Sequence, residues 1–236
     1  MRLIRNLVIT AVVLGGILVG ADRAAVWFAE DQAAEKIRSS QGLAATPEVS
    51  IKGFPFLTQV ASSQLDEVEI KLDQGVTASA GDRTVRVSSF DATLRDVRVN
   101  SSYTSAVAGS ATGTAHLSYA DLAKAAAGQG AEDLSVSYSG GAPDEVKVTG
   151  TVSVMGRPMR GEVRSSLTVV NGDTVRVRAK EVPGQGLPGA EAAVRSRTDF
   201  ERKITGLPKG LKLEKVVATP KGVDITLTGT DLNLAG

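Results

Sequence analysis

From Pro47 onward the apolar residues of this chain recur at every second position in one segment after another, a period that fits half-buried β-strands and little else. Val68, Ile70 and Leu72 alternate with Glu67, Glu69 and Lys71, and Val85 and Val87 alternate with Thr84 and Arg86. The parity then changes, since Phe90, Ala92 and Leu94 are even-numbered while Val97 and Val99 are odd. A strand cannot move its apolar set to the other face without a bulge or a break. One break is expected near Ser88 and another near Arg95 and Asp96, both curving the sheet.

The same period returns at Leu134, Val136 and Tyr138, at Val146, Val148, Gly150, Val152 and Val154, and from Met159 through Val163 to Val169. Gly156-Arg157 and Asn171-Gly172 supply turn signals, and Val175, Val177 and Ala179 follow, which predicts a long antiparallel meander. As one strand, Pro158 to Val170 exceeds twice the usual length of about 5 to 6 residues and reaches roughly 40 Å, which suits an elongated tube better than a compact sandwich. Helical patterns are few. From Asp22 to Arg38, Val26, Ala29, Ala33 and Ile37 recur at spacings of three and four among charged residues. Ser118 with Asp121 caps a short helix ending near Gly128, and another is expected from about Ala190 to Glu201 after the Gly- and Pro-rich stretch from Pro183 to Gly189. Two strands between Leu211 and Leu227 close the chain. The expected fold class is α+β: a long curved antiparallel sheet forming an elongated tube or open barrel, packed with two or three helices and preceded by an N-terminal membrane helix.

Arg2 and Arg5 precede an uncharged run from Asn6 to Ala21, closed by Asp22 and Arg23. This reads as an export segment. Val19-Gly20-Ala21 offers small residues for a cleavage site. Leu3 and Ile4 lengthen the run, Arg5 can snorkel, and Trp27 stands where an interfacial belt would lie, so a retained single-pass anchor is favoured over a cleaved signal. With the two early arginines on the cytoplasmic side, everything after Asp22 is expected on the extracytoplasmic side. The expected organisation is an anchor or signal over residues 1–21, an amphipathic helix and linker over 22–46, and one domain over 47–236.

Ile51 to Gln59 reads Ile-Lys-Gly-Phe-Pro-Phe-Leu-Thr-Gln and carries two of the chain's five phenylalanines around one proline. Gly53 admits backbone angles closed to other residues, and Pro55 fixes its own φ and extends Phe54, so the turn is stiff. It is either a plug at one end of a core or a rigid apolar lip against a lipid cavity or a bilayer. A second stretch runs Leu207-Pro208-Lys209-Gly210-Leu211, then Val216, then Gly222 to Gly229. Together these resemble the LmeA-like family of envelope phospholipid-binding proteins, in order and spacing from about Val26 to Leu234. The resemblance implies an extracytoplasmic, tube-like α+β fold that holds phospholipid, with the final domain as the lipid-binding part. It is also the ground for considering an envelope glycosyltransferase as a partner.

Small residues interrupt the apolar face of the meander, with Gly150, Gly161 and Ser165 among valines and with Ala111, Gly113 and Ala115 on a neighbouring strand. Such a face either brings layers close together or leaves space for an acyl chain, and each single glycine also fits a bulge or bend. The residues expected to meet lipid are Phe54, Pro55, Phe56 and Leu57 in the turn, and Val68, Ile70, Val148, Val152 and Val163 on the inward face. Arg95, Arg98, Arg157 and Arg160 are candidates for the headgroup, but the solvated surface is the better reading of each.

Other function classes find little support. Net charge is +1 with the signs interspersed, which argues against nucleic acid. There is no cysteine, and the single histidine, His116, falls on the polar parity of its strand beside Thr114 and Ser118. No nucleophile elbow, phosphate loop or dinucleotide fingerprint is present. Asp66, Glu67 and Glu69 read as an exposed strand face before a cation site. No catalytic residue, metal or cofactor is expected. The partners expected are phospholipid and membrane, and the domain either sequesters, transfers or presents lipid. The alternative is a structural or assembly factor of the envelope that docks a partner through its sheet edge or aromatic turn. The weakest reading is a carboxylate glycan hydrolase.

Overall fold

The computed structural model describes residues 2–73, 76–80, 83–100, 105–126, 134–154, 157–180, 191–192, 195, 199–205 and 207–234. A single helix, α1 (Arg2–Gln41), contains both the apolar run and the amphipathic segment. It is the one helix among the described residues that is long and apolar enough to cross a membrane. After it come β1 (Glu48–Lys52), α2 (Phe56–Ala61), β2 (Gln64–Leu72), β3 (Val76–Ala80), β4 (Arg83–Val87), β5 (Ser89–Val99), β6 (Ala106–Ser118) and α3 (Tyr119–Ala126). The remainder is β7 (Ser135–Tyr138), β8 (Glu145–Val154), β9 (Arg157–Val170), β10 (Thr174–Ala179), β11 (Phe200–Thr205), β12 (Leu211–Thr219) and β13 (Gly222–Asn233).

The strands form two antiparallel sheets where one long curved sheet was expected. Six strands run in the order β1-β2-β5-β6-β13-β12 and seven in the order β4-β3-β11-β10-β9-β8-β7. They close no barrel among the described residues. The meander is present as β7 to β11, and β9 is a single strand of 14 residues. Its length serves one layer of a two-layer packing, and the tube inferred from that length does not follow. The turn at Asn171-Gly172 has positive φ at both residues, 56° and 72°, as a tight hairpin with the right-handed strand twist requires. The Gly156 turn and the Pro183–Gly189 stretch lie outside the described residues.

Both parity changes correspond to structural events. At Ser88 the chain leaves the seven-stranded sheet as β4 and enters the six-stranded sheet as β5, with the Ser88 N–H bonded to the His116 carbonyl at 2.8 Å. At Asp96, φ is 51°. This left-handed residue turns Val97 back to the side that Leu94 faces, and the two bury in the same cluster. Asp231, with φ 49°, does the same on β13, bringing Leu232 into that cluster although Ile225 and Leu227 lie in the other.

There are accordingly two cores. The first lies under α1 and α2, where Val26, Ala34 and Phe56 meet Val49, Ile51, Val68, Leu94, Val97, Ala108, Ala111 and Leu232. Ala29, Ala33 and Ile37, the stripe read from the sequence, pack against it. Small alanines on both surfaces let the helix approach the sheet closely. Glu30 of α1 accepts the Ile51 N–H at 2.7 Å and so supplies a partner to the edge strand β1. The second core lies between the sheets, with Val85, Val146, Val148, Leu167 and Val177 facing Leu117, Leu213, Val216, Ala218, Val223, Ile225 and Leu227. Backbone bonds fasten the layers along β12: the Ala218 N–H donates to the Pro143 carbonyl at 2.6 Å and the Leu213 N–H to that of Gly172 at 2.7 Å.

Two local expectations need correction. The helix expected from Ala190 to Glu201 overruns its end, because Phe200 and Glu201 begin β11, whose alternation of Phe200, Arg202 and Ile204 faces the second core. The segment after Pro55 is the short helix α2, since the fixed φ of a proline suits a residue just outside a first helical turn. The capped helix after Ser118 is observed as expected, with the Ser118 hydroxyl accepting the Asp121 N–H at 3.1 Å.

Candidate functional site

Between the sheets, beside α3, lies an apolar hollow of about 90 Å³. One wall is Val136, Val146, Val148, Leu167, Val175 and Val177 with Phe200, Arg202 and Ile204, and the facing wall is Leu117, Val216, Val223 and Ile225. Leu122, Ala125 and Ala126 of α3 and Leu134 cover one side. Short valine and alanine side chains make up more than half of its lining. As it stands it is smaller than the roughly 150 Å³ cavity known to take benzene and the roughly 300–1,000 Å³ of ordinary ligand pockets. One small apolar group fits without movement; a whole acyl chain requires the walls to part.

The cover is lightly attached. None of the residues of α3 is fully buried. The Tyr119 hydroxyl donates to the Thr219 carbonyl at 2.6 Å. Burial, followed by the nearby Tyr138 and Asp224, pushes the Tyr119 phenol up to about 12, so it remains a neutral donor.

Arg202 is the one charged residue in the lining. Its guanidinium lies 5.4 Å from the centroid of the Phe200 ring, and its Nε is buried without a hydrogen-bond partner. The sequence reading missed this residue. The inward parity of Phe200, Arg202 and Ile204 was the available signal, obscured there by assigning the segment to a helix.

The aromatic turn lies elsewhere, against α1. Asp22 is 2% exposed; it accepts the Leu57 N–H at 2.8 Å and the Arg23 guanidinium at 2.6 Å. Burial tends to raise the Asp22 pKa, but the bonds from Arg23 and from the Leu57 and Phe56 N–H groups outweigh it and hold the carboxyl below its usual range. Gly53 has φ 96°, and a Cβ there would come within 2.8 Å of an Asp66 carboxylate oxygen, so glycine is required. Buried Gln59 ties the two strands around the turn, donating to the Lys52 carbonyl at 3.2 Å and accepting the Asp66 N–H at 2.9 Å.

This framework holds the two rings apart. Phe56 is 5% exposed and belongs to the core under α1, whereas Phe54 is 62% exposed with the Arg23 guanidinium 5.3 Å from its centroid. Leu57, Trp27 and Phe28 are also exposed. The peptide before Pro55 is cis. Val68 and Ile70 lie with Phe56 beneath the helices. Val148 lines the hollow, Val163 is buried, and the Val152 side chain lies outside the described residues. Of the nine sequence-derived residues, those of the turn with Val68 and Ile70 lie by α1 and Val148 lines the hollow, whereas neither Phe54 nor Phe56 does.

His116 is half-buried and its Nδ1 lies 2.5 Å from Asp224 on β13. Its Nε2 sits over β13 as well, since a Cβ built on Gly222 would be 2.9 Å from it. Ser89, the cross-strand neighbour on β5, flanks β6 on the opposite side. A histidine beside an acid is thus present, turned away from that serine. Glu67 pairs with Arg95 at 3.0 Å and Glu69 with Lys52 at 3.1 Å. Among the described residues no group of three or more His, Asp or Glu side chains is placed to hold a metal ion.

No curated protein and no solved structure matches the chain. A family model described as LmeA-like phospholipid-binding matches residues 20–228.

Proposed function

The chain belongs to the LmeA-like phospholipid-binding family, and on that premise we propose that the hollow between its sheets receives a phospholipid acyl chain at the membrane surface where α1 is anchored. The observation that carries this reading is the hollow itself, whose lining is aliphatic or aromatic except for Arg202. Each acyl CH₂ removed from water gains about 0.8 kcal/mol, so a sixteen-carbon tail gains roughly 12 kcal/mol gross. That is enough to offset separating a lightly attached α3 from the valine walls, where single large-to-small core changes are worth about 2–5 kcal/mol. The direction of opening follows from the fastening: β12 is bonded to two hairpin loops of the facing sheet, whereas α3 buries no residue fully.

The positive-inside rule applied to Arg2 and Arg5 puts the domain on the extracytoplasmic side, where it sequesters, transfers or presents lipid for envelope assembly. An envelope glycosyltransferase is one candidate recipient. The exposed Phe54, Leu57, Trp27 and Phe28 lie close to the point where the apolar run ends and favour contact with the headgroup layer. The same residues support the second reading, in which they dock a protein partner and no lipid enters the fold.

The test is mass spectrometry of organic extracts from the purified full chain, beside a variant whose hollow is filled by Ala125→Leu. Phospholipid near one per chain in the wild type and absent from the variant supports the reading. Equal lipid in both, or none in either, overturns it.

A further inference from the structure

Arg202 is a cation on a face that is otherwise apolar. On β11 it lies between Phe200 and Ile204, which pack against the inter-sheet core, and it pairs in register with Val175 of β10. Every acid nearby on these strands and their turn is already engaged. Glu201 accepts Arg176 at 2.6 Å, Asp173 pairs with Lys203 at 3.1 Å, and Asp199 accepts the Ala179 N–H at 2.8 Å. Among the described residues Arg202 makes no ion pair, and its Nε is buried without a partner. An unpaired donor of this kind is unfavourable unless something else supplies an acceptor. A snorkelling arginine lays its stem on apolar surface and delivers its nitrogens to water. Here the Nε stays within the fold, and the guanidinium lies over the Phe200 ring beside the hollow.

We propose that Arg202 binds the oxyanion of the amphiphile whose tail occupies the hollow, which makes the chain selective for anionic over neutral lipid. This rests on the acyl-chain reading and adds a headgroup rule to it. A planar guanidinium presents its donors as a fork that matches a phosphate or a carboxylate, and the Phe200 ring beneath it adds a cation–π contact. The acceptor is either a glycerophospholipid phosphate or a fatty-acid carboxylate; the chemistry at Arg202 is the same.

The experiment incubates the full chain, as wild type, Arg202→Met and Arg202→Lys, with phosphatidylcholine vesicles. These carry equal fractions of phosphatidylglycerol and diacylglycerol with matched tails, and bound lipid is measured after re-isolation. The wild type is expected to enrich phosphatidylglycerol over diacylglycerol by roughly tenfold or more. Arg202→Met brings the ratio toward one by lowering bound phosphatidylglycerol while bound diacylglycerol is unchanged, and Arg202→Lys falls between. In a parallel arm, displacement of phosphatidylglycerol by oleate but not by inorganic phosphate shows that tail and anion act together. Oleate taken up in preference to phosphatidylglycerol assigns the carboxylate as the natural source and leaves the role of Arg202 intact. The melting temperature of Arg202→Met is expected to equal or exceed that of the wild type, because the substitution removes an unpaired cation. A wild type without preference, a ratio unchanged by Arg202→Met, or a clear fall in its melting temperature overturns the proposal while leaving lipid binding standing. Recovery of no lipid by any variant overturns both.

Discussion

Filling the hollow should strengthen the fold and abolish its ligand binding, two effects of opposite sign from one substitution. Ala125 on α3 faces the space, and Ala125→Leu adds an isopropyl group there with little change in helix propensity. An unfilled apolar cavity costs about 24 cal/mol per Å³, so a hollow of about 90 Å³ represents roughly 2 kcal/mol of forgone stability. Complete filling returns at most that amount, which for a chain of this size raises the melting temperature by roughly 4–8 °C. Thermal unfolding followed by circular dichroism gives the stability arm, and uptake of a fluorescent phospholipid from vesicles gives the binding arm. A melting temperature raised by several degrees with uptake lost is the expected pair. Higher stability with normal uptake would place the lipid elsewhere. A loss of about 1–3 kcal/mol would mean that the site is already filled and the added group overpacks it.

The two phenylalanines of the turn should separate in a similar way. Phe56→Ala is expected to lose about 3–5 kcal/mol in denaturant titrations, whereas Phe54→Ala stays within about 0.5 kcal/mol and slows lipid uptake; equal destabilisation would reduce the turn to a core plug. Ser165 is fully buried and its hydroxyl has no partner, so Ser165→Ala should raise stability by about 1 kcal/mol, and a loss of that size would reveal a bond this structure does not contain. Lys180 bonds to Glu145 at 2.5 Å, which lowers the pKa of the carboxyl and raises that of the amine against the opposing effect of burial. The carboxylate's contribution is present above its unfolded pKa and disappears as pH falls through its lowered folded value. The amine's contribution is present below its unfolded pKa and disappears as pH rises through its raised folded value. Glu145→Gln should therefore flatten both the acid and the alkaline limb of a stability-against-pH curve while leaving its centre a plateau; an unchanged acid limb would refute the assignment.

Local periodicity carried much of this architecture. The strand parities predicted a discontinuity at Ser88 and another at Asp96, and both exist, because a residue's face within one strand depends only on its neighbours in sequence. The partner of each strand was not legible. That β3 would pair with β11 and that β4 would close the edge of the meander depends on contacts across more than a hundred residues, to which alternation is blind. One sheet and two sheets of the same strands read alike. The stiffness of the Phe54 turn was visible in Gly53 and Pro55, but its attachment to α1 depends on Asp22, which looked like the polar end of an apolar run. Arg202 was hidden for a related reason: three alternating residues after a helical stretch are too short a run to show a period, and only the sheet shows which way they point.

The continuity of α1 sets a mechanical limit on the domain's activity. At about 1.5 Å per residue its 40 residues extend roughly 60 Å, about half of them beyond Asp22, and the domain is clamped to that second half by Glu30 and by Asp22 itself. If the domain carries lipid as proposed, an anchored copy holds it within reach of the membrane and hands it over only to an acceptor that comes to it. Scission at the Ala21–Asp22 peptide would leave the clamp whole and release the same domain from the apolar run. On the proposed function, one peptide bond far from the hollow thus separates a stationary dispenser from a shuttle.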